Sequence, residues 1–399
     1  MTYQTGRQIA ISLNEETTYG VPADKAGAKV LRFNTGGLNL GIETIRSNEN
    51  RRDGQTTRGR HGSRSVTGQF SVDLSVGTYD DLTNAVFRGA PLPSLDIDES
   101  DMASATVAVG AHTITASAGS WITAGLRVGD VIRLKTGFAA GNMGRNIRVT
   151  GLTATVITVA ETLSVQAGPI AAYTITRPKK VIQGQVKRSF SVEEGELDIG
   201  ASELSTGVRW GQMQIKLDPN GMCIVTYSAV GQDQKLIEAP DYPYFEDPAE
   251  TVSIGLTAVE ARLRLGDEDI ADVSSAELSI NLNAGGEPVV GSNLTPDVFL
   301  NNAVMEGSIS FLKKDVTRVR QYLNEEALSL HLLFEEQTTG GGAPGFCSFF
   351  VGNFTFGAAS KSDAGSDGPR KQTFQLNIGK DLRGGAYDPT MIAFQTSAA

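Results

Sequence analysis

The sequence predicts an all-β-dominated chain with short helices: a duplicated β-sandwich or barrel unit, each copy with one flanking helix, plus a small β-domain inserted into the first copy. Three observations predict it. Residues 30–88 and 273–335 spell the same order of strand, long polar loop, strand and helix. The 45 glycines against 2 tryptophans suit many short strands and turns. A string of short β segments separates the first helix from its next strand, where the second copy has only a few residues.

In chain order, an extended N-terminal segment comes first. The stretch MTYQTGRQIAISLNEETTYG lacks the basic and apolar regions of a signal peptide, and no apolar run approaches the roughly 20 residues of a membrane span. The sequence therefore predicts a protein made and used outside the secretory route. The first unit opens near Val30, and Phe70, Val72, Leu74 and Val76 alternate with the period of a half-buried strand. Thr78 stands as N-cap of a helix with Asp80 and Asp81 in its first turn, where the helix dipole favours acids. Tyr79, Leu82 and Val86 form its apolar stripe, repeated in the second copy by Val316, Val319 and Leu323 behind Asp315 as cap.

The insert, 102–178, contains TVAVGAHTITA, GDVIRLKTG, NIRVTGLTATVITVA and AYTITRP, with turns at Gly125, Gly129 and Gly151. It is predicted to be an independent barrel or sandwich on the outer surface, joined through the polar linkers PLPSLDIDESD and RPKK. The strand VKRSFSVEE then answers LSLHLLF of the second copy, and each unit ends on a hairpin. In the first hairpin, Asp218, Pro219, Asn220 and Gly221 form the turn, with Pro219 setting φ and Gly221 supplying a positive φ. The expected division is 1–101 with 179–235 for the first unit, 102–178 for the insert, and 236–399 for a linker and the second unit.

Chemistry-bearing residues are few. Of three histidines, His61 lies in a polar loop and His112 and His331 in strands; there is no G-x-S-x-G, H-E-x-x-H or P-loop. A dyad of Cys223 or Cys347 with His331 is the weak enzymatic alternative, and both cysteines read better as buried thiols. GDEDIAD at 266–272 has the charge of a calcium loop without its central Gly and terminal Glu, so it reads as a solvated turn. No enzyme, metal or cofactor is expected. A formal charge of -10 disfavours a general nucleic-acid binder, and a duplicated β unit with so few reactive residues suits a protein that assembles with itself.

The sharpest local signal is the loop ETIRSNENRRDGQTTRGRHGSR, with Arg46, Arg51, Arg52, Arg58, Arg60 and Arg64 against three acids. A solvated loop and a nucleic-acid arm are the alternatives to a basic loop that docks on an acidic face of a neighbouring subunit, the reading the chain's acid excess favours. The corresponding loop of the second unit contributes Glu287, Asn293 and Asp297. Asp73, Asp218, Glu277 and Glu306 are strand positions suited to an acidic, exposed wall.

EETTYGVPA, IRSNENRRDGQTTRGRHGSRSVTGQFSVDLSVGTYDDLTNAVFRG, FSVEEGELDIG and GQMQIKLDPNGMCIVTYSAVGQD together resemble the tail tube proteins of bacteriophages with long, non-contractile tails. The resemblance covers nearly the whole chain and brings no active site. It implies a virion protein made in the host cytoplasm, whose rings stack into a hollow tail through which DNA passes without specific binding. Its implied partners are further copies of itself and the tape-measure, tail-tip and terminator proteins, with no membrane involved. One-unit relatives look six-membered, so two fused units predict a trimeric ring of pseudo-six-fold symmetry. The basic loop and its second-unit counterpart are then candidates for ring stacking. A tube component of a secretion or contractile injection machine is the related alternative, and a carbohydrate- or nucleic-acid-binding β module the unrelated one.

Overall fold

The computed structural model describes residues 3–337, 342–365 and 367–398. It is mostly β with two helices. The first unit contains β1 (Ile9–Glu15), β2 (Thr35–Ile45), β3 (Arg60–Asp73), α1 (Asp80–Phe87), β4 (Lys179–Ile182), β5 (Phe190–Glu196), β6 (Ala201–Leu217), β7 (Cys223–Gly231) and β8 (Asp233–Glu238). The second contains β9 (Ala261–Leu265), β10 (Glu268–Ile270), β11 (Val273–Asn281), β12 (Val304–Leu312), α2 (Thr317–Leu323), β13 (Leu328–Glu335), β14 (Phe346–Lys361), β15 (Lys371–Ile378) and β16 (Ala393–Thr396).

The two units share one ladder. β2–β3–β7–β6–β5–β1 in the first is matched by β11–β12–β15–β14–β13–β9 in the second, every pairing antiparallel. Registers coincide residue by residue. Leu38 stands opposite Gly68 as Leu278 stands opposite Gly307, and Phe70 opposite Tyr227 as Ile309 opposite Phe374. β6 slips register after Trp210 and β14 after Phe356, so Gly211 and Gly357 occupy equivalent bulges. A bulge lets a long strand bend from one layer into the next. β6 accordingly pairs with β5 and β8 ahead of its bulge and with β7 from Arg209 onward across it, and β14 with β13 and β16 ahead of its bulge and with β15 from Phe354 onward across it.

Alternation drives this arrangement. Val66, Phe70 and Val72 of β3, Val225 and Tyr227 of β7, Met213 and Ile215 of β6, Leu278 and Ile280 of β11, and Ile309 and Phe311 of β12 are buried in one apolar cluster that runs through both units. Burying each such side chain stabilises by roughly 1.5–3 kcal/mol. Residues between them turn to the opposite, polar face.

Residues Leu95–Asp98 through Thr174–Arg177 form a separate eight-stranded sheet around its own core of Trp121, Leu126, Ile132, Ile147, Ile157 and Tyr173. It begins earlier than 102, because Leu95–Asp98, expected as linker, pairs with Thr174–Arg177. RPKK is no linker either: Lys179–Ile182 is β4, paired with β16. The sheet docks on the second unit. Val131 and Gln395 exchange hydrogen bonds at 2.7 and 3.0 Å, Asn146 donates to Glu335 at 2.8 Å, and Arg148 bridges Glu161 at 2.7 Å and Asp269 at 2.8 Å. Lys180, wholly buried, pairs with Asp130 and Asp388.

Several local expectations give way. Thr78 does not cap α1: the N-cap is Tyr79, and the Thr78 hydroxyl is engaged with Arg32, Ser75, Thr251 and Ser253. The N-cap of α2 is Val316, although Asp315 accepts a hydrogen bond from the Thr317 N–H at 2.8 Å. In the first hairpin Asn220, at φ 58°, supplies the left-handed residue, while Gly221 donates back to Asp218 at 3.2 Å. Gly151 lies inside a strand opposite Thr158 instead of at a turn. Both terminal segments are built into the sheet: Ile9–Glu15 pairs with β5, and Ala393–Thr396 with β14 and β4.

Candidate assembly surface

Internal duplication makes one junction inside the chain and leaves its counterpart open. The second half of β6 has β7 on one side and β11 of the other unit on the other, in the register Met213↔Ile280, Gln214↔Ser279, Ile215↔Leu278 and Lys216↔Glu277. The junction closes the sheet between units, and on its polar face Gln214 donates to Glu277 at 2.5 Å. The equivalent half of β14 pairs only with β15, and β2, the equivalent of β11, only with β3, among the described residues. Thr35–Ile45 and Ala358–Lys361 are thus two unpaired edges that match the two sides of a joint already present in the molecule.

Both edges are protected in ways that blunt indiscriminate pairing. The β14 edge carries small residues and a cation, Ala358, Ala359, Ser360 and Lys361, all exposed, beside the half-buried Gly357 of the bulge. On β2, the Leu38 N–H donates to the Glu194 carboxylate at 2.6 Å. Burial pushes the Glu194 carboxyl up to about 7, with neighbouring Glu203 and Glu196 adding to the shift against the pull of the Leu38 hydrogen bond.

The polar face of the sheet holds the acids singled out from the sequence. Asp73, Asp218 and Glu277 are half-buried and Glu306 exposed, alternating with core residues Val72, Leu217, Ala276, Leu278 and Met305. Lys216 sits among them, 2.7 Å from Asp218 and opposite Glu277.

The two long loops behave differently. Arg46, Arg51, Arg52, Arg58 and Arg60 are exposed. Arg64 belongs to β3, where its guanidinium lies 3.3 Å from Asp233 and its N–H donates to the Asn293 carbonyl at 2.8 Å. In the second loop Glu287 is exposed, but Asp297 pairs with Arg209 at 2.8 Å, and the Thr295 carbonyl accepts from Gln232 at 2.5 Å. That loop is folded onto the first unit of its own chain. The contact was missed in the sequence, where no motif marks it.

Of the residues considered for chemistry, His331, Cys223 and Cys347 are buried. Cys347 stands opposite Phe334 and His331 opposite Phe350, so thiol and imidazole are separated along the β13–β14 ladder. The His331 Nε2 is 2.7 Å from the Ser348 hydroxyl, and burial holds the ring neutral, with its pKa lowered to about 3. Both cysteines are free and buried, and burial pushes their thiols up. GDEDIAD forms the β9–β10 hairpin, with Asp269 held by Arg148 and Arg264. No cluster of three or more potential metal ligands occurs among the described residues. A cleft of about 820 Å3 between α2, the inserted sheet and residues 381–387 has charge-paired walls: Arg318 with Glu268 at 3.3 Å and Arg383 with Asp381 at 2.6 Å.

A family profile described as phage tail tube protein matches residues 6–377, from just before β1 to the end of β15. The chain belongs to the phage tail tube protein family. The matched range takes in both units and the inserted sheet. No curated protein matches the chain. As a tail tube protein it is a structural component of the virion tail, and no helix is long and apolar enough to cross a membrane among the described residues.

Proposed function

We propose that this tail tube protein closes into a three-membered ring, six units around, by setting the β14 edge of one copy against the β2 edge of the next. Rings then stack into a pipe that conducts the genome. The observation that carries this reading is the β6–β11 junction: replacing β6 by β14 and β11 by β2 in the same register places Ala359 opposite Leu40, Ser360 opposite Asn39 and Lys361 opposite Leu38 of the next copy. Closure removes both exposed edges, the general remedy for an open sheet. A barrel of this many strands is too wide for side chains to fill and leaves a channel.

The polar face carrying Asp73, Asp218, Glu277 and Glu306 lines that channel, where carboxylates repel the phosphate backbone and spare DNA a series of cation contacts. The exposed arginines 46, 51, 52, 58 and 60 dock on acids of the adjacent ring, Glu287 marking the corresponding site in the second unit. Arg64, Asn293 and Asp297 instead hold the units of one chain together. The tape-measure, tail-tip and terminator proteins meet the tube at its bore and ends. Negative-stain imaging of purified protein, averaged end-on, tests the reading. Hollow rings with six-fold modulation and the mass of three chains are expected; a monodisperse monomer at all concentrations sinks it.

A further inference from the structure

The helices show a second incomplete joint, independent of the strand edges. The apolar face of α1 is fully covered: Tyr79, Leu82, Val86 and Phe87 are at most 3% exposed. Part of the cover comes from the other unit, where Phe394 of β16, 2% exposed, meets Phe87 with ring centroids 6.4 Å apart. On α2, Val316 is 58% and Leu323 72% exposed, with Val319 and Tyr322 only half-buried between them. A bare apolar stripe on one copy of a helix whose twin is covered marks a missing neighbour.

The ladder identifies that neighbour. β16 pairs with β14 through Cys347↔Thr396, Ser348↔Gln395 and Phe349↔Phe394. β8 pairs with β6 through Ala201↔Glu238, Ser202↔Ile237 and Glu203↔Leu236. Because the bulges at Gly211 and Gly357 align β6 with β14, Glu203 is equivalent to Phe349, and Leu236 stands where Phe394 stands. Phe394 is buried on α1, whereas Leu236 is 63% exposed.

We propose that β8 of the next copy lies over α2, with its Leu236 against the Val316, Val319 and Leu323 stripe, reproducing between chains the α1–β16 contact within the chain. The proposal rests on the ring reading and adds to it a second, side-chain-mediated joint on the same pair of neighbours: the second unit that offers β14 and α2 meets the first unit that offers β2 and β8. The contact is head-to-tail, so a ring uses every copy of it once. β4, which also packs on α1, has no counterpart in the second unit among the described residues; the joint between chains is therefore smaller than the one within.

Leu236→Glu, Leu323→Lys and the double variant test it against the parent chain, by light scattering and end-on imaging over a concentration series at low salt. Each single change is expected to raise the concentration needed for rings by about tenfold or more, with the melting temperature of the unassembled chain unchanged, since both side chains are in solvent there. The double variant is expected to recover most of that loss through the new ion pair. Rings from either single variant at the parent's concentration overturn the proposal while leaving the ring reading standing, as does a double variant no better than the singles. If the parent forms no rings, the ring reading itself has failed. Should a charged variant not fold, Leu236→Cys with Leu323→Cys decides: a short bismaleimide must link chains into covalent trimers, and intact rings without linkage overturn the contact. The buried native thiols stay silent in that assay.

Discussion

β6 and β14 are the same strand placed in two situations, and their difference shows how a duplicated protein separates folding from assembly. Both are long, bend at an aromatic–glycine bulge, and serve two layers. After the bulge, β6 reads Gln-Met-Gln-Ile-Lys-Leu and is flanked on both sides, whereas β14 reads Ala-Ala-Ser-Lys and is flanked on one. The partners differ in parallel: β11 offers Leu278 and Ile280 in a buried ladder, and β2 offers Leu38 and Leu40 among Gly36, Gly37 and Gly41. A joint formed within one chain is held at high effective concentration and can be strongly apolar. Its counterpart between chains has to remain soluble until a partner arrives, and small or charged residues provide that.

The most severe way to break the comparison is at equivalent apolar positions. Ile280→Asp places a carboxylate in the buried joint and is expected to cost about 3–5 kcal/mol of stability in chemical denaturation. Leu40→Asp, its equivalent at the open edge, is expected to leave a folded chain of nearly normal melting temperature that makes no rings by light scattering. Equal destabilisation by both would mean the two edges are not counterparts.

A comparable loss is expected where the inserted sheet meets the units. Lys180→Met leaves Asp130 and Asp388 facing each other without their cation, and breaking a buried pair costs about 3–5 kcal/mol. Burial raises the Asp130 carboxyl against the pull of Lys180, so the orphaned acid takes up a proton. Lys29→Met, in an exposed pair with Asp81, should cost under about 1 kcal/mol. Similar melting temperatures for these two variants would remove the insert's bracing role.

A milder contrast is steric. A Cβ at Gly68 would stand 2.0 Å from the Gly37 carbonyl oxygen, but at Gly307 its nearest neighbour is the mobile end of Leu278 at 2.7 Å. Gly68→Ala is therefore expected to cost about 2–3 kcal/mol and Gly307→Ala about 1 kcal/mol by denaturant titration. Changing Arg51, Arg52, Arg58 and Arg60 to Ser should leave the chain folded and yield rings that do not stack; long tubes from that variant would assign the basic loop elsewhere.

The smallest effect is a pH slope. Burial raises Glu194 to about 7 and Asp80 to about 6, above their unfolded values, so the native chain binds more protons than the unfolded one between about pH 4 and 7. These groups make stability fall as pH rises through that window. Glu194→Gln should flatten the slope between pH 5 and pH 8, and an unchanged slope would show that the Leu38 cap is not titrating.

The repeat was legible where side chains alternate in long strands and a helix follows, as around Gly68 and Gly307. Its outer strands were not: IAISL of β1 and ARLRL of β9 share almost no residues, and only their identical ladder positions against β5 and β13 reveal them as copies. Leu95–Asp98 reads as linker because a short edge strand needs few apolar residues. The aromatic–glycine pairs Trp210–Gly211 and Phe356–Gly357 were a usable signal, since they align β6 with β14 and expose the open joint. Asp297 and Asn293 gave none, because contacts to the other unit depend on distant backbone geometry.

The covering of α1 also sets an order of events during synthesis. Its cover includes Phe394, and the Lys180 network needs Asp388, so a nascent chain cannot seal its first helix until these far residues have left the ribosome. Until then the first unit presents an apolar gap, and translation itself acts as a timer that withholds the finished building block.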